Sequence, residues 1–402
     1  MRRFALVALL TFASTQDSSA QQAPKPPVFS ASTSVVLVDF VVTDGKDHAV
    51  AGLTARDFVV KEDGQPRPVV SFLAYADGPR AQGEVVPSGG APPVSRAITV
   101  TVMFVDDAQI SAQQFHRAKP ALKKLVARMS ERGGVLALAA PRSKVWLARG
   151  VDGNAAVFDA ALDRIEGRWI QDQSNFPITD AEAFAVERGN PWVEARIVKR
   201  FVALTPGFDA GSAAIAARSR ALEVARAARL RREDAYNTLT TAFDWLGQLP
   251  GRHSVLLVSG GFAEDPDDSR QQEVVTRSLR ANAPIHFLDA RGLEGLGRLQ
   301  GVDFSRAPPA RDAGETPFAS LNAAQGASSL ARDSGGISIQ NANDLSKGLT
   351  RVFDTMTTYY VLGYEPPAHS RKGFRKIKVE STVKGVHILA RAGYFDDAPA
   401  TR

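Results

Sequence analysis

The sequence contains no cysteine, which excludes disulfide bonds, thiolate metal ligands and cysteine nucleophiles. It contains only six histidines, and no two of them are four residues apart, so a zinc site of the HExxH type is excluded. It also lacks a Walker A loop and a Gly-x-Gly-x-x-Gly fingerprint for dinucleotides. No segment has the ~20 consecutive apolar residues that a membrane-spanning helix needs. These absences remove Walker-type and Rossmann-type nucleotide sites, thiolate and HExxH zinc sites, and cysteine nucleophiles.

The N-terminus predicts export. Arg2 and Arg3 precede the short apolar run 4–13, and residues 18–20 are the small sequence Ser-Ser-Ala. A basic start, a short apolar run and a small-residue cleavage site are typical of a secretory signal. We therefore expect a signal peptide over residues 1–20 and a protein located in the periplasm or outside the cell.

Hydrophobic residues make up 44% of the 402 residues, which is enough to build the cores of two domains. Residues 21–33 and 77–95 are rich in Pro or Gly and predict linkers. Between them, residues 34–76 contain short β-branched strands separated by turn sequences such as Asp63-Gly64. This segment predicts part of a small, immunoglobulin-like β-sandwich.

Residues 96–358 alternate between strand and helix patterns. This alternation predicts an open, doubly wound, mostly parallel α/β sheet with helices on both faces. Two long stretches interrupt it, and stretches of this length are usually functional or disordered. Residues 168–232 predict a helical insertion, and residues 291–317 predict a mobile loop. The expected strands are 98–106, 135–140, 145–148, 254–259, 284–289 and 337–340, and the expected helices are 112–132, 155–166, 234–249, 268–281, 321–332 and 342–357.

After residue 358 the pattern returns to short strands, at 359–364, 375–380 and 386–390. Short strands at a chain end need a partner sheet, and the strands of 34–76 need one too. We therefore expect residues 34–76 and 359–396 to complete one β-sandwich, with the α/β domain 96–358 inserted between them.

The net charge of +6 is concentrated in residues 218–232, which hold six arginines and one acid, Glu223. Two explanations are open: a solvated helix face, or a surface for an acidic partner or an anionic lipid. Nucleic acid is not an expected partner, because no stacking aromatic residues lie near the cluster.

The apolar run from Ile98 to Val105 ends at two carboxylates, Asp106 and Asp107. A continuous apolar, β-branched run predicts a strand buried on both faces, as in a parallel sheet. Ligands of open α/β sheets bind beyond the carboxyl ends of the strands. The two aspartates therefore lie where such a domain would place its site.

The order of elements and motifs resembles the bacterial VWFA-related domain family typical of acidobacteria, and residues 96–358 resemble a von Willebrand factor type A domain. Together the matching segments span nearly all of the chain after the signal. The resemblance implies a fold more than an activity, because the family has no well-defined biochemical role. The matching segments are 35–44, 52–58 with 62–64, the strand that ends at Asp106-Asp107, 250–252 with 256–262, 289–293, 359–364 and 391–395.

Type A domains often hold Mg²⁺ in a site whose first motif is Asp-x-Ser-x-Ser. Counted from the first aspartate of this chain, the serine positions hold Ala108 and Ile110; counted from the second, they hold Gln109 and Ser111. One hydroxyl therefore remains. The aspartate that such a site takes from a later strand is replaced by residues 259–261, Ser-Gly-Gly. The resemblance thus implies a degenerate metal site.

The remaining candidate ligands are Asp106, Asp107 and Ser111, with Thr238 as a further candidate and Thr240 as its alternative. Such a set would hold Mg²⁺ or another divalent cation weakly, with several waters. The alternative is that the two aspartates accept the free N–H groups of the following helix. No other cofactor is expected.

Two further acidic motifs have a structural and a chemical interpretation. Asp265 to Ser269 has some of the spacing of a calcium loop, but it lacks the required Gly and Glu, so capping of the next helix is favoured. Asp333-Ser334-Gly335-Gly336 is similar to the nucleophile segment of chymotrypsin-like proteases. A glycine helix stop is favoured there, because that chemistry also needs a histidine base and an orienting carboxylate.

The leading hypothesis is an exported, non-enzymatic, adhesion-like module that presents the carboxyl end of its sheet and its insertions to a protein partner. The second is a structural envelope scaffold that docks through the 168–232 insertion. The third is an enzyme without a recognisable motif, which is disfavoured because no base, nucleophile and oxyanion donors stand out as a set. The sequence identifies neither the partner nor the oligomeric state.

Overall fold

The computed structural model describes residues 35–46, 48–75, 81–82, 99–170, 174–265, 268–292, 324–367 and 373–396. The expected signal peptide 1–20, the linker 21–33 and nearly all of the loop 291–317 lie outside these residues. Most of the expected linker 77–95 also lies outside them.

The described residues contain fifteen strands and eight α-helices. The strands are β1 Val36–Asp44, β2 Phe58–Glu62, β3 Gln65–Arg67, β4 Val69–Tyr75, β5 Ala81–Gln82, β6 Thr99–Val105, β7 Val135–Ala140, β8 Val145–Gly150, β9 Arg252–Ser259, β10 Ile285–Asp289, β11 Ser338–Ile339, β12 Tyr359–Tyr364, β13 Gly373–Ser381, β14 Val386–Ala390 and β15 Gly393–Asp396. The helices are α1 Ala112–Arg132, α2 Ala155–Asp163, α3 Asp180–Glu187, α4 Pro191–Leu204, α5 Ala210–Leu246, α6 Ser269–Arg280, α7 Gln325–Asp333 and α8 Leu345–Thr357.

The central sheet has six strands in the order β8-β7-β6-β9-β10-β11. All neighbours are parallel except β8, which runs antiparallel to β7 at the edge. One apolar cluster joins the sheet to α1, α2 and α8, and a second joins it to α5, α6 and α7. The predicted mostly parallel sheet with helices on both faces is confirmed. Because both faces are covered, β6 and β9 are buried along nearly their whole length.

The insertion 168–232 is helical, as predicted. It contains α3, α4 and the first half of α5, and these helices share their own apolar cluster, which includes Phe184, Ile197 and Phe201. The separate helix expected at 234–249 is wrong, because α5 continues without a break for 37 residues. The helix continues because a buried alanine stands at every fourth position from Ala213 to Ala225, because it contains no Pro, and because its only Gly, Gly211, lies in its first turn. No helix in the described part of the chain is long and apolar enough to cross a membrane.

Strands from the two ends of the chain pair with one another. A five-stranded antiparallel sheet has the order β14-β1-β12-β4-β5, and a four-stranded one has the order β15-β13-β2-β3. Strand β5 falls inside the expected linker 77–95, and β15 was not predicted. Both sheets contribute to one apolar cluster, in which the rings of Phe40, Phe58, Phe72 and Tyr360 pack 4.8–5.7 Å apart.

A buried carboxylate links the two antiparallel sheets. Glu62 on β2 is fully buried, and its Oε2 accepts hydrogen bonds from Tyr364 Oη on β12 at 2.5 Å and from Tyr394 Oη on β15 at 3.3 Å. Burial and the adjacent carboxylate raise the pKa of Tyr364, so its hydroxyl stays protonated and keeps donating. The short contact therefore holds a strand of one sheet to a strand of the other.

We expect Tyr364→Phe to lower the free energy of unfolding by about 1–3 kcal/mol, because it removes a donor from a buried carboxylate. Tyr394→Phe should cost less, because its bond is longer and its ring is only half-buried. Urea unfolding of both variants measures the difference. Equal losses would contradict the assignment of Tyr364 as the principal link.

Candidate functional site

The two predicted carboxylates lie at the carboxyl end of β6, beside the end of β9. Counted in chain order, the six strands of the sheet lie in the order 3-2-1-4-5-6, so the winding reverses between β6 and β9. Ligands of doubly wound sheets bind in the crevice at this reversal. Asp106 and Asp107 are only 2% and 1% exposed there.

Asp106 joins the loops that follow β6 and β9. Its Oδ2 accepts a hydrogen bond from Gln109 Nε2 at 2.8 Å and another from Ser259 Oγ at 2.9 Å. Ser259 Oγ in turn accepts the backbone N–H of Gly261 at 3.0 Å. The carboxylate thus holds together the two loops between which a ligand would enter.

The loop 107–111 fills the crevice at the strand reversal. Ile110 is fully buried and Gln109 is 6% exposed. A Cβ atom on Gly260 would lie 2.2 Å from the carbonyl oxygen of Gln109, and one on Gly167 would lie 2.5 Å from that of Ile110. Only glycine permits these two backbone contacts. The chain itself therefore occupies the place where ligands of such sheets bind.

Asp107 holds the turn between β7 and β8. Its Oδ1 accepts the backbone N–H of Arg142 at 3.1 Å, and its Oδ2 accepts that of Ser143 at 2.5 Å. Both carboxylate oxygens are thus engaged by backbone donors. The side chain is more than 30 residues away in sequence from the groups that it stabilises, so no local motif indicates this role.

Ser111 is the N-cap of α1. Its Oγ accepts the N–H of Gln114 at 3.2 Å, and the Gln114 side chain accepts the N–H of Ser111 at 3.0 Å, which completes a capping box. The expectation that Asp106 and Asp107 cap this helix is wrong. The helix begins at Ala112, so the two aspartates lie too far ahead of its first turn.

Thr238 and Thr240 lie on α5 and bond within their own helix. Thr238 Oγ1 donates to the carbonyl of Asp234 at 2.9 Å, and Thr240 Oγ1 donates to that of Asn237 at 3.0 Å. Asp234, one turn before Thr238, instead pairs with the guanidinium of Arg142. The predicted metal ligands are therefore hydrogen-bonded to separate protein partners.

Sequence reasoning missed three side chains of this region: Gln109, Arg142 and Asp234. Gln109 occupies a position at which a metal site would have a serine, and it donates to the carboxylate. Arg142 and Asp234 come from a turn and from the junction of the insertion with the core, and neither lies in a recognisable motif. Only the folded chain brings them together.

Burial raises the pKa of Asp106 to about 6, and the charges of Asp107 and Asp234 add to the increase. The hydrogen bonds from Ser259 and Gln109 act in the opposite direction. Among the described residues, no group of three or more His, Asp or Glu side chains is placed to hold a metal ion. The arrangement can hold two loops together, and it leaves a partly protonated carboxyl beneath them.

The two other acidic motifs have structural roles. Asp268 caps α6, because its Oδ1 accepts the N–H of Arg270 at 3.0 Å, so the predicted cap is confirmed. Ser334 donates to the carbonyl of Ala331 and accepts the N–H of Ile285, and Gly335 ends α7 with φ +85°. The expected glycine helix stop is confirmed as well.

The basic stretch 218–232 is largely neutralised by nearby acids. Arg232 and Asp265 form a buried ion pair at 3.1 Å, with only 5% and 4% of their side chains exposed. Five of the six arginines pair with acids of the insertion or of the loop before α6; of the described residues, none pairs with Arg226. The pairs are Arg218–Glu194, Arg220–Glu223, Arg229–Glu187, Arg231–Asp180 and Arg232–Asp265.

Comparison with known proteins identified no relative: no family model, no curated protein and no solved structure matches this chain.

We expect Asp106→Asn to stabilise the protein at neutral pH. The folded-state pKa of about 6 lies above the ordinary value of 3.8, so the folded state binds the proton more tightly than the unfolded state does. The contribution of Asp106 to wild-type stability therefore falls as the pH rises from 4 to 6, by about 3 kcal/mol. The advantage of Asp106→Asn should grow over this range and stay constant above it. Urea unfolding at pH 4, 6 and 8 measures it.

The exposed variant Glu131→Gln is the control for a lost negative charge. Its free energy of unfolding, relative to that of the wild type, should not increase between pH 4 and pH 6. An Asp106→Asn variant that is less stable than wild type at pH 8 would contradict the argument.

We expect Asp107→Ala to lower the free energy of unfolding by about 3 kcal/mol, because two backbone N–H groups lose a charged acceptor. Mg²⁺ at millimolar concentration should leave the melting temperature of the wild type unchanged. Thermal unfolding with and without Mg²⁺ checks both statements. A saturable Mg²⁺-dependent shift in the wild type that Asp107→Ala abolishes would instead establish a cation site.

Proposed function

We propose that this protein is an exported, non-enzymatic protein-interaction module of the von Willebrand factor type A class, and that it binds its partner through the helical insertion 168–232. The observation that carries the proposal is a set of large apolar side chains exposed on α4 and α5. Export rests on the pattern of residues 1–20.

The fold supports the class assignment. The strand order of the central sheet fits a doubly wound domain. Most of the sequence segments that resemble the VWFA-related family lie on, or directly next to, its strands and those of the two antiparallel sheets. The shared apolar cluster of the two antiparallel sheets supports a β-sandwich formed by residues 34–76 and 359–396. The α/β domain is then inserted between two halves of one sandwich.

The carboxyl edge of the sheet is less suited to binding than the insertion. Gln109 and Ser259 donate to Asp106, backbone amides bind Asp107, and Ser111 caps a helix. A cation or a partner carboxylate would have to break these bonds before it could bind. We therefore assign this edge a structural role.

The insertion exposes five large apolar side chains on α4 and α5, which together we call the insertion face: Trp192, Val202, Ile215, Leu222 and Leu230. Trp192 is 85% exposed and Ile215 is 72% exposed. At 100° per residue, the three α5 members lie within roughly 80° of one another and largely opposite the buried alanines. Clustered apolar side chains on a surface mark interaction sites, whereas isolated ones do not.

A groove lies between α4 and α5, and Val202 of the insertion face lines it. Its volume is about 540 Å³, and its lining is mostly apolar. Grooves between two helices typically accept the apolar face of a third helix. We therefore propose an amphipathic helix of the partner as the bound element. The lining residues are Pro191, Glu194, Ala195, Val198, Lys199, Val202, Ala210 and Arg218.

The proposal is tested by photo-crosslinking followed by affinity measurement. A crosslinking amino acid at Trp192 should capture one partner in the envelope fraction of the source organism, whereas the same residue at Trp146 should not. Trp146 is the matched control, because it is 52% exposed on the edge strand β8. The partner is then purified for titration.

The triple variant Trp192→Ser, Ile215→Ser, Leu222→Ser should weaken binding of that partner at least about tenfold, because exposed aromatic and aliphatic anchors carry most interface energy. Its melting temperature should not fall, since these side chains are exposed. Asp107→Ala should leave the affinity unchanged. Binding that depends on Asp107 and not on the insertion face would instead favour the carboxyl edge of the sheet.

A further inference from the structure

A small cavity lies at the opposite end of the central sheet from the aspartates. Its walls come from the starts of β9 and β10 and from β1 and the end of β14 in the five-stranded sheet. Its volume is about 20 Å³, which is room for one water molecule or one ion of similar size. The cavity therefore lies where the parallel sheet meets the antiparallel one.

Four buried nitrogen atoms without a hydrogen-bond partner belong to side chains that line this cavity. They are Arg252 Nη1, His253 Nε2, His286 Nε2 and Arg391 Nε. Arg252, His253 and His286 are 7%, 6% and 3% exposed. Buried polar groups are almost always paired, so four orphans around one cavity indicate a missing occupant.

The hydrogen bonds of the two histidine rings fix which nitrogen carries the proton. His286 Nδ1 accepts the N–H of Ile337 at 3.3 Å, so the proton of the neutral ring is on Nε2, which is a free donor. Burial and the nearby Arg252 lower the pKa of His286 to about 3, so the ring is neutral. His253 Nδ1 donates to the carbonyl of Ala281 at 2.9 Å, which leaves Nε2 as an acceptor.

The charges around the cavity do not balance. Asp39 lies 3.6 Å from Arg252 Nη1, and it is the carboxylate that lines the cavity. Arg391 is the second guanidinium; it donates to the carbonyl of Leu37 at 2.6 Å and forms no ion pair with any described residue. Burial lowers the pKa of Arg391, and the charge of Asp39 acts in the opposite direction. One carboxylate therefore serves two guanidinium groups.

We propose that this cavity binds a single halide-sized anion, in practice chloride, between Arg252, His286 and Arg391. Three of the four orphan atoms are donors, and an anion accepts from all of them. The anion also supplies the missing negative charge, which a water molecule cannot. The lone pair on His253 Nε2 is the one feature that suits water better, and the charge imbalance outweighs it, because an uncompensated charge in a half-buried position costs more than one unmade hydrogen bond.

Thermal unfolding at constant ionic strength tests the proposal in solution. Replacing sodium gluconate by sodium chloride should raise the melting temperature saturably, by about 3 °C. Gluconate is the reference because it is too large for the cavity. Arg391→Met should abolish the response, since it removes the excess charge, and its melting temperature in gluconate should equal or exceed that of the wild type. Arg226→Met, which removes an exposed arginine, should retain the chloride response.

Crystals of the wild type grown in sodium bromide provide a test that does not depend on a variant. We expect an anomalous peak within hydrogen-bonding distance of Arg252 Nη1 and His286 Nε2. A water molecule in the cavity without a bromide peak would overturn the proposal. An identical chloride response in the wild type and a folded Arg391→Met variant would overturn it as well.

Discussion

The arrangement of the carboxyl edge of the central sheet depends on the hydrogen bonds that the buried carboxylate of Asp106 accepts. This carboxylate lies where the sheet reverses its winding, and its two hydrogen bonds, to Gln109 and Ser259, close the crevice that this reversal would otherwise open. Burial makes the charged form costly, as the raised pKa shows. The same residue type that would serve a ligand site therefore serves here to hold two loops together.

Because Asp106 holds these two loops together, the carboxyl edge of the sheet is less suited to binding than the insertion. A metal site needs carboxylate oxygens that converge and are not already occupied by strong donors. Asp107 fails this condition because backbone amides of Arg142 and Ser143 bind both of its oxygens. An interaction surface needs instead apolar area that the protein itself does not cover, and the insertion provides it.

Much of the fold was predictable from the sequence, and the details of the candidate site were not. Strands such as β7 and β12 and the helix α1 have the predicted bounds, because periodicity and capping residues act over a few positions. The partners of Asp107 and Asp234 lie 35 to 92 residues away, so only the tertiary fold could reveal them. The sequence prediction divided α5 wrongly after residue 232, because helix-forming residues continue across that position.

The insertion has an apolar cluster of its own, but it departs from the usual distribution of polar and apolar side chains in two places. It buries charged groups in ion pairs, Glu182 with Arg200 and Asp265 with Arg232, while Trp192 and Ile215 face the solvent. Buried ion pairs add little net stability compared with apolar packing, but their fixed geometry holds α3 against α4 and α5 against the loop before α6. Exposed apolar side chains gain nothing in the isolated protein. Both features are advantageous together if a rigid apolar face is to be covered by a partner, since a preorganised surface loses little entropy on binding.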